Sequence, residues 1–181
     1  MSTVSFMKKL AKTNPAKVID LLNERLTFER AGVKLYDALL ERMRASPEPE
    51  IKAMIGQMQE NRDEEKEHEE WLEEQIGELG GDAHALTEKA LLVQTESEGV
   101  ERVVRRDPSI AHDLHALLIA ELADNAGWDL LVQLAAELGD RAAKKEFRKR
   151  LLEEEEHLIF VRGTVLKMTQ REVSQPPAPP P

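Results

Sequence analysis

Proline and glycine constrain this chain more than any other feature, because they divide it into four long segments of helical periodicity. A polar residue followed by proline is a usual helix start, with the polar side chain capping free backbone N–H groups. Three pairs combine a favoured capping residue (Asn, Ser or Asp) with proline: Asn14–Pro15, Ser46–Pro47 and Asp107–Pro108. Apolar residues at intervals of three and four follow each pair, so each one predicts the start of a helix.

The ends of the segments are marked as well. Gly80 and Gly81 end the second segment, and a Leu-Gly-Asp sequence ends the third. The predicted helices cover approximately residues 15–44, 47–79, 108–137 and 140–170. The connection over residues 82–107 is less regular; two short helices are expected in it, and its main role is to span a distance.

Composition favours a helical protein that binds neither nucleic acid nor membranes. Aromatic residues make up 4% of the 181 residues, and the net charge of -10 opposes contact with phosphates. Cysteine is absent, which excludes disulfides, iron–sulfur clusters and thiolate ligands. The N-terminus lacks the apolar segment of a signal peptide, and no stretch reaches 18 uninterrupted apolar residues. A cytoplasmic protein is expected.

Link lengths predict how the helices are arranged. Short links after the first and third helices make antiparallel neighbours, and the connection of residues 80–108 lets the chain return to the same end. The prediction is an all-α, four-helix bundle of two helical hairpins joined by a long crossover. One domain is expected over residues 1–171, followed by a disordered proline-rich tail at residues 172–181.

Acidic residues and histidines interrupt the apolar face of every long helix near its middle. The second helix carries Glu65 and His68 there, and the fourth carries Glu154 and His157. The first helix has Glu29 in this position. The third has Glu121, with Asp124 one turn later.

These inward carboxylates predict a site for two divalent cations. A lone buried carboxylate is costly, and four or five converging ones repel each other unless cations lie between them. In Glu-x-x-His both side chains lie on one helix face, so the carboxylate can bridge two ions while the histidine binds one. We expect Glu65 and Glu154 to bridge, His68 and His157 to be terminal ligands, and Glu29 and Glu121 to complete the two sides.

The spacing of these residues indicates a duplicated hairpin. Glu29 precedes Glu65 by 36 residues, and Glu121 precedes Glu154 by 33, which places both partners at similar heights above a short link. A second internal alignment, ERAGVKL with DNAGWDL, pairs Glu29 with Asp124 instead. The sequence therefore leaves open whether Glu121, Asp124 or both bind metal.

Over residues 15–170 the pattern resembles the ferritin-like di-iron carboxylate superfamily, and within it the rubrerythrin and bacterioferritin branch. An inward glutamate followed by Glu-x-x-His, used twice in a bundle, is the signature of that superfamily. Tyr36 matches a tyrosine that those families place near the metals, and Asp124 stands where rubrerythrins carry a second acid. The cysteine-rich rubredoxin domain of rubrerythrins is missing here, so an external electron donor is expected.

The resemblance implies two iron ions, or manganese or a mixed Mn/Fe pair, and oxidation of Fe(II) by O₂ or H₂O₂. This would be a ferroxidase- or peroxidase-type activity in iron handling or peroxide detoxification, with Tyr36 near the reaction. Two alternatives are an oxidase or oxygenase acting on a small organic substrate and a non-catalytic metal-binding bundle. The chain is expected to form a homo-oligomer, with a dimer as the first expectation.

Three further expectations concern residues around the centre. Arg62 lies on the inward side of the second helix and is expected to pair with a ligand carboxylate. Trp128 is expected to be a packing residue. The remaining acids of the two histidine motifs, including Glu64 and Glu153, are expected on solvated faces.

Overall fold

The computed structural model describes residues 7–106 and 109–174, and this part of the chain contains five helices and no strand. The helices are α1 (Pro15–Ala45), α2 (Pro49–Glu78), α3 (Glu88–Arg106), α4 (Ile110–Glu137) and α5 (Arg141–Ser174). None of these helices is long and apolar enough to cross a lipid bilayer. The expected all-helical fold is confirmed; a fifth long helix, α3, lies in the connection between the four helices that were predicted to be long.

The first helix begins as predicted, but the second and third long helices begin later. Asn14 caps α1 by accepting from the N–H of Lys17 at 3.1 Å. The prediction that Ser46 and Pro47 open α2 is wrong, because Glu48 precedes Pro49 and is held in an extended conformation (φ -74°, ψ 120°). Similarly, α4 begins after Ser109, whose side chain caps the helix; Asp107 and Pro108 lie outside the described residues.

The last helix is longer than predicted and starts at a buried cap. Asp140 accepts from the N–H of Ala143 at 3.2 Å, and its other oxygen accepts from Lys9 and Leu10 at 2.9 and 3.1 Å. These backbone donors outweigh burial and hold the pKa of Asp140 below its usual range. At its other end, α5 continues to Ser174, so residues 172–174 belong to the helix; the rest of the expected tail lies outside the described residues.

The long connection contains one continuous helix, α3, where two short ones were expected. It packs against α1 and α4. Its buried residues are Ala90, Val93 and Val104. Near its start, the N–H of Lys89 donates to Asp20 at 3.0 Å. The crossover is therefore folded against the bundle along its length.

The core consists of two apolar clusters separated by a polar layer. The first cluster includes Leu22 and Leu26 of α1 with Trp128 and Phe147, and the second includes residues 35–43 of α1. Helices α2 and α4 run from the second cluster to the first, whereas α1 and α5 run the opposite way. Each of these four helices crosses the layer between the clusters at the position of its inward acids.

Candidate metal centre

All seven predicted metal ligands are buried and lie in the layer between the two apolar clusters. We call this set the central cluster. It comprises Glu29, Glu65, His68, Glu121, Asp124, Glu154 and His157, each at most 3% exposed. Tyr36, the predicted catalytic residue, is also fully buried beside it. The helical pattern therefore placed these side chains on the inner face correctly; their binding of metal stays a prediction.

His157 lies with three glutamates in one half of the central cluster. Its Nδ1 atom is 3.4 Å from Glu65, 3.5 Å from Glu154 and 3.9 Å from Glu121. One potential ligand atom from each of these four residues falls within 4.8 Å of all the others, a spacing that one metal ion could bridge.

His68 lies with Glu29 and Glu154 in the other half. Its Nδ1 atom is 2.9 Å from Glu154 and 3.5 Å from Glu29. A further group joins these two glutamates to Glu65 and Asp124. Glu154 belongs to all three groups, so its carboxylate could reach an ion in either half.

The outer nitrogen of each histidine contacts a glutamate from the opposite helix. His68 Nε2 lies 3.0 Å from Glu153 of α5, and His157 Nε2 lies 2.7 Å from Glu64 of α2. Glu64 and Glu153, which were expected on solvated faces, are partly exposed and also contact the two histidines. When the imidazole is neutral, an Nε2–H group that donates to a carboxylate leaves the Nδ1 lone pair directed at the cluster, the arrangement that orients metal-binding histidines.

Two aromatic side chains donate hydrogen bonds across the bundle to Glu121 and Glu29, the glutamates that were expected as terminal ligands. The Tyr36 hydroxyl donates to Glu121 at 2.5 Å, and Trp128 Nε1 donates to Glu29 at 2.8 Å. Trp128 is therefore more than the packing residue that was expected. The sequence held a signal for this: Tyr36 lies seven residues after Glu29, and Trp128 seven residues after Glu121.

Asp124 differs from the other acids because it pairs with a buried arginine, although burial and Glu29 still raise its pKa well above the usual range. Arg25 of α1 donates to the Asp124 carboxylate and, at 3.1 Å, to its backbone carbonyl. The guanidinium lies against Gly127, where a Cβ atom would come within 2.2 Å of it. Sequence reasoning missed Arg25, which lies one turn before Glu29 on the same helix.

Arg62 does not take the role that the sequence suggested. Its guanidinium pairs with Asp37 at 2.8 Å and with Asp63 at 3.4 Å, both on the surface. The prediction that Arg62 pairs with a ligand carboxylate is wrong, because it lies at the edge of the inward face, where the long side chain can reach solvent-exposed acids instead.

Burial and mutual repulsion oppose the ionisation of the carboxylates in the cluster, and the pKa values show which of them are affected. Burial and the neighbouring Glu154 raise the pKa of Glu121 to about 8, and burial with the same neighbour raises that of Glu65 well above its usual range. Burial also opposes ionisation of Glu154, but the adjacent histidines outweigh it and lower its pKa to about 2. Against the cost of burial, Glu154 and Glu65 raise the pKa of His157 to about 12.

Six inward-facing atoms of the central cluster are buried and form no aligned hydrogen bond; their contacts are histidine–glutamate approaches of 2.9–3.9 Å. The six atoms are one oxygen each of Glu29 and Glu121, both oxygens of Glu154, and Nδ1 of His68 and of His157. Buried polar atoms are normally satisfied, and those that are not call for an explanation. The oxygen and imidazole donors left over are the ligand types that divalent iron and manganese take in proteins, so the residues fit such ions.

No protein-family model and no curated protein matches the sequence. The structure is similar to a solved one described as ferritin like, diiron-carboxylate proteins from Bacillus anthracis str. Ames. The TM-score is 0.64 with 15% sequence identity, over 83% of this chain and 96% of that chain. At this identity the likeness concerns the fold alone, and it shows that the fold is ferritin-like. The predicted rubrerythrin and bacterioferritin branch stays a prediction.

Proposed function

We propose that the central cluster binds two divalent metal ions, iron in the first instance, and that the protein oxidises Fe(II) with O₂ or H₂O₂. The observation that supports this most directly is the set of six buried atoms that form no aligned hydrogen bond and face one another from four helices. In a helical bundle held together only by packing, such atoms would be replaced by apolar groups at a gain in stability.

The count of charges supports two ions. The four glutamates Glu29, Glu65, Glu121 and Glu154 carry four negative charges when ionised, which two divalent cations balance. Asp124 would be a fifth charge, but Arg25 already compensates it. We therefore assign Glu121 as the terminal ligand beside His157 and Glu29 as the one beside His68, and we place Asp124 outside the ligand set.

Two ferrous ions bound here would supply two electrons to one molecule of O₂ or H₂O₂. The protein's own residues contribute a dry, pre-arranged site. Glu64 and Glu153 orient the two imidazoles, and Trp128 holds Glu29. The two apolar clusters on either side exclude water from the layer. With no cysteine in the chain, electrons for repeated turnover would come from an external donor.

Tyr36 would act as a hydrogen-bond donor next to the metals. Burial, followed by the charges of Glu121 and Glu65, raises the pKa of Tyr36 well above its usual range, so the hydroxyl keeps its proton. The hydroxyl donates a hydrogen bond to Glu121 and accepts one from Asn61 at 3.3 Å. In this role Tyr36 fixes which oxygen of Glu121 faces the ions.

Anaerobic loading with Fe(II) followed by exposure to O₂ or H₂O₂ tests the proposal. We expect about two irons per chain, because there are two groups of ligands, and an absorbance of oxo-bridged ferric iron after oxidant is added. Glu154→Gln should abolish both signals, whereas the surface variant Glu67→Gln should retain them. Wild-type protein that takes up fewer than one metal per chain would refute the metal site; binding without oxidation would leave a non-catalytic metal protein.

An organic substrate has less support. A groove of about 810 Å³ lies between the start of α2 and the end of α5, lined by residues that include Met54, Phe160 and Met168. None of the central cluster, nor Tyr36 or Trp128, lines it. The oxidation of small inorganic species is therefore the function we place first.

A further inference from the structure

Among α1, α2, α4 and α5, the exposed large apolar side chains all lie on the second hairpin, α4 and α5. Of the large apolar side chains that are exposed in the described residues, none lies on α1 or α2, whereas α4 and α5 carry seven. These seven are Ile119, Leu122, Leu130, Leu152, Ile159, Leu166 and Val173. Ile119 and Ile159 lie at the same height, since Glu121 and His157 face each other across these antiparallel helices.

The four residues on α5 are spaced by seven, which defines an outer stripe of Leu152, Ile159, Leu166 and Val173. An exposed repeat of seven residues is the spacing that keeps one helix face against a partner helix. Ile159 is 69% exposed, more than Leu152 and Leu166 on either side of it. Within residues 7–106 and 109–174, no side chain covers the stripe, which leaves this helix face open to a partner helix.

Gly163 lies on the same outer face, between Ile159 and Leu166. A Cβ atom there would meet nothing within 4 Å, so packing inside the chain does not require glycine. Glycine within a helix is unfavourable by roughly 1 kcal/mol relative to alanine. A small residue at this position would let a second helix approach closely.

The charges beside the stripe fit a second copy of the same helix in one register. Glu155 and Arg162 lie on the same flank of the stripe, four residues before and three after Ile159. Neither forms an ion pair within the described chain. If two α5 helices pack antiparallel with Ile159 against Ile159, each Glu155 lies level with Arg162 of the other copy, and Leu152 lies level with Leu166.

Neighbouring registers are disfavoured by the same two residues. A shift of one repeat in one direction brings the two Glu155 side chains together, and a shift in the other direction brings together the two Arg162 side chains. Two α5 helices packed in parallel and in register would also bring each residue level with its own copy, so that Glu155 is level with Glu155 and Arg162 with Arg162. Charges that penalise the wrong alignments are how helix pairs select one register.

We infer that two copies of this chain associate through the outer face of α4 and α5, with antiparallel α5 stripes centred on Ile159. Apart from Val173, the exposed apolar residues of this face amount to about three whole side chains. That is comparable with the largest apolar patches on monomers, about 300–600 Å². With the polar rim, two such faces reach the roughly 1,200 Å² at which stable interfaces begin. The association requires no metal.

Sedimentation equilibrium of the full chain tests this inference, with and without chelator. We expect a dimer in both conditions. Ile159→Glu should raise the dissociation constant at least tenfold, since it places two carboxylates at the centre of the contact. Leu92→Glu, a matched control on α3 at 56% exposure, should leave the dissociation constant within twofold. Circular dichroism verifies that both variants stay helical.

A charge exchange tests the register itself. Glu155→Arg and Arg162→Glu should each weaken the dimer about threefold to tenfold, because each introduces two like-charged pairs. The double variant should return the dissociation constant to within about twofold of the wild type. A monomeric wild type, a dimer that Leu92→Glu disrupts as much as Ile159→Glu does, or charge effects that simply add would each overturn the inference.

Discussion

The half of the central cluster built on α1 and α2 and the half built on α4 and α5 share one plan. Each half has an inward glutamate, an aromatic hydrogen-bond donor seven residues later, and a Glu-Glu-x-x-His sequence on the following helix. The donors and the outer glutamates all act across the bundle, on the opposite half. The two halves therefore hold each other in place, and neither can be complete by itself.

The two halves differ three residues after the inward glutamate. In the α1 half this position is Gly32, and a Cβ atom there would come within 2.7 Å of the Glu65 carboxylate. In the α4 half it is Asp124, bound to Arg25. The α1 half thus makes room for the Glu65 carboxylate, whereas the α4 half adds a carboxylate whose counter-charge, Arg25, comes from α1. The difference teaches that the repeated pattern sets the positions of the candidate ligands. The charge around each of them depends on residues that are not repeated, such as Arg25.

The largest effect should come from exchanging Glu154 and Glu65, the two glutamates predicted to bridge the ions, for glutamine in the metal-free protein. The pKa of Glu154 is lowered to about 2, so its ionised form stabilises the fold above pH 4.5, and this stability is lost as the pH falls towards 2. Glu154→Gln should therefore reduce the free energy of unfolding at pH 7 by about 3 kcal/mol.

Glu65→Gln is the matched control and should have the opposite sign. The pKa of Glu65 is raised by burial and by Glu154, so its ionisation opposes folding at pH 7. Urea unfolding in the presence of chelator measures both variants. Equal losses of stability would show that the two halves are electrostatically equivalent and would contradict the comparison.

Removing Arg25, which pairs with Asp124 and has no counterpart beside Gly32, should have the next largest effect. Arg25→Leu leaves Asp124 buried without its counter-charge, and we expect a loss of about 2–4 kcal/mol in thermal or urea unfolding. The double variant with Asp124→Asn should recover most of the loss. If Asp124→Asn makes no difference in the Arg25→Leu background, packing rather than charge explains the role of Arg25.

A methyl group added at Gly127 tests the packing of Arg25 against α4. Gly127→Ala should destabilise the protein by about 1–3 kcal/mol, because the buried Arg25 guanidinium occupies the space that the Cβ would need. Gly56 of α2 is the control, since a Cβ there meets nothing within 4 Å. Gly56→Ala should stabilise by about 0.5–1 kcal/mol in the same unfolding assay.

Protons held by the cluster should make metal affinity depend on pH. Without metal, Glu121 has a pKa of about 8 and His157 one of about 12, so both hold a proton at pH 7 that a metal ion must displace. Affinity for Mn(II) should rise by roughly tenfold per pH unit for each proton released between pH 6 and 7. Calorimetry in two buffers of different ionisation enthalpy counts the protons; a pH-independent affinity would contradict the protonated resting state.

The smallest effects should come from the two aromatic donors. Tyr36→Phe removes the hydrogen bond to Glu121, and Trp128→Phe removes the one to Glu29, each worth about 1–2 kcal/mol because the acceptor is a carboxylate. The titration of Mn(II) should show Tyr36→Phe weakening one site and Trp128→Phe the other. Both variants affecting the same site would break the assignment of one aromatic donor to each half.

The predictable part of the fold is the part that depends on neighbouring residues in the chain. Capping by Asn14 and the glycine at position 80, whose φ is 78°, set helix ends through local geometry. The start of α2 was misplaced although its cause is also local, since the effect of Pro49 on Glu48 outweighed the apparent signal at Ser46. The continuous α3 was missed because its stability comes from packing on α1 and α4.

By itself, the sequence determined which side chains enter the bundle, because helical periodicity assigns Glu29, Glu65 and Glu154 to inner faces wherever the helices lie. Only the tertiary structure decided the partners: Glu154 beside both histidines, and Arg25 on Asp124. Partnership depends on the rotation and height of each helix to within a few ångströms. Those are set by how the two apolar clusters pack, which no single segment of the chain encodes.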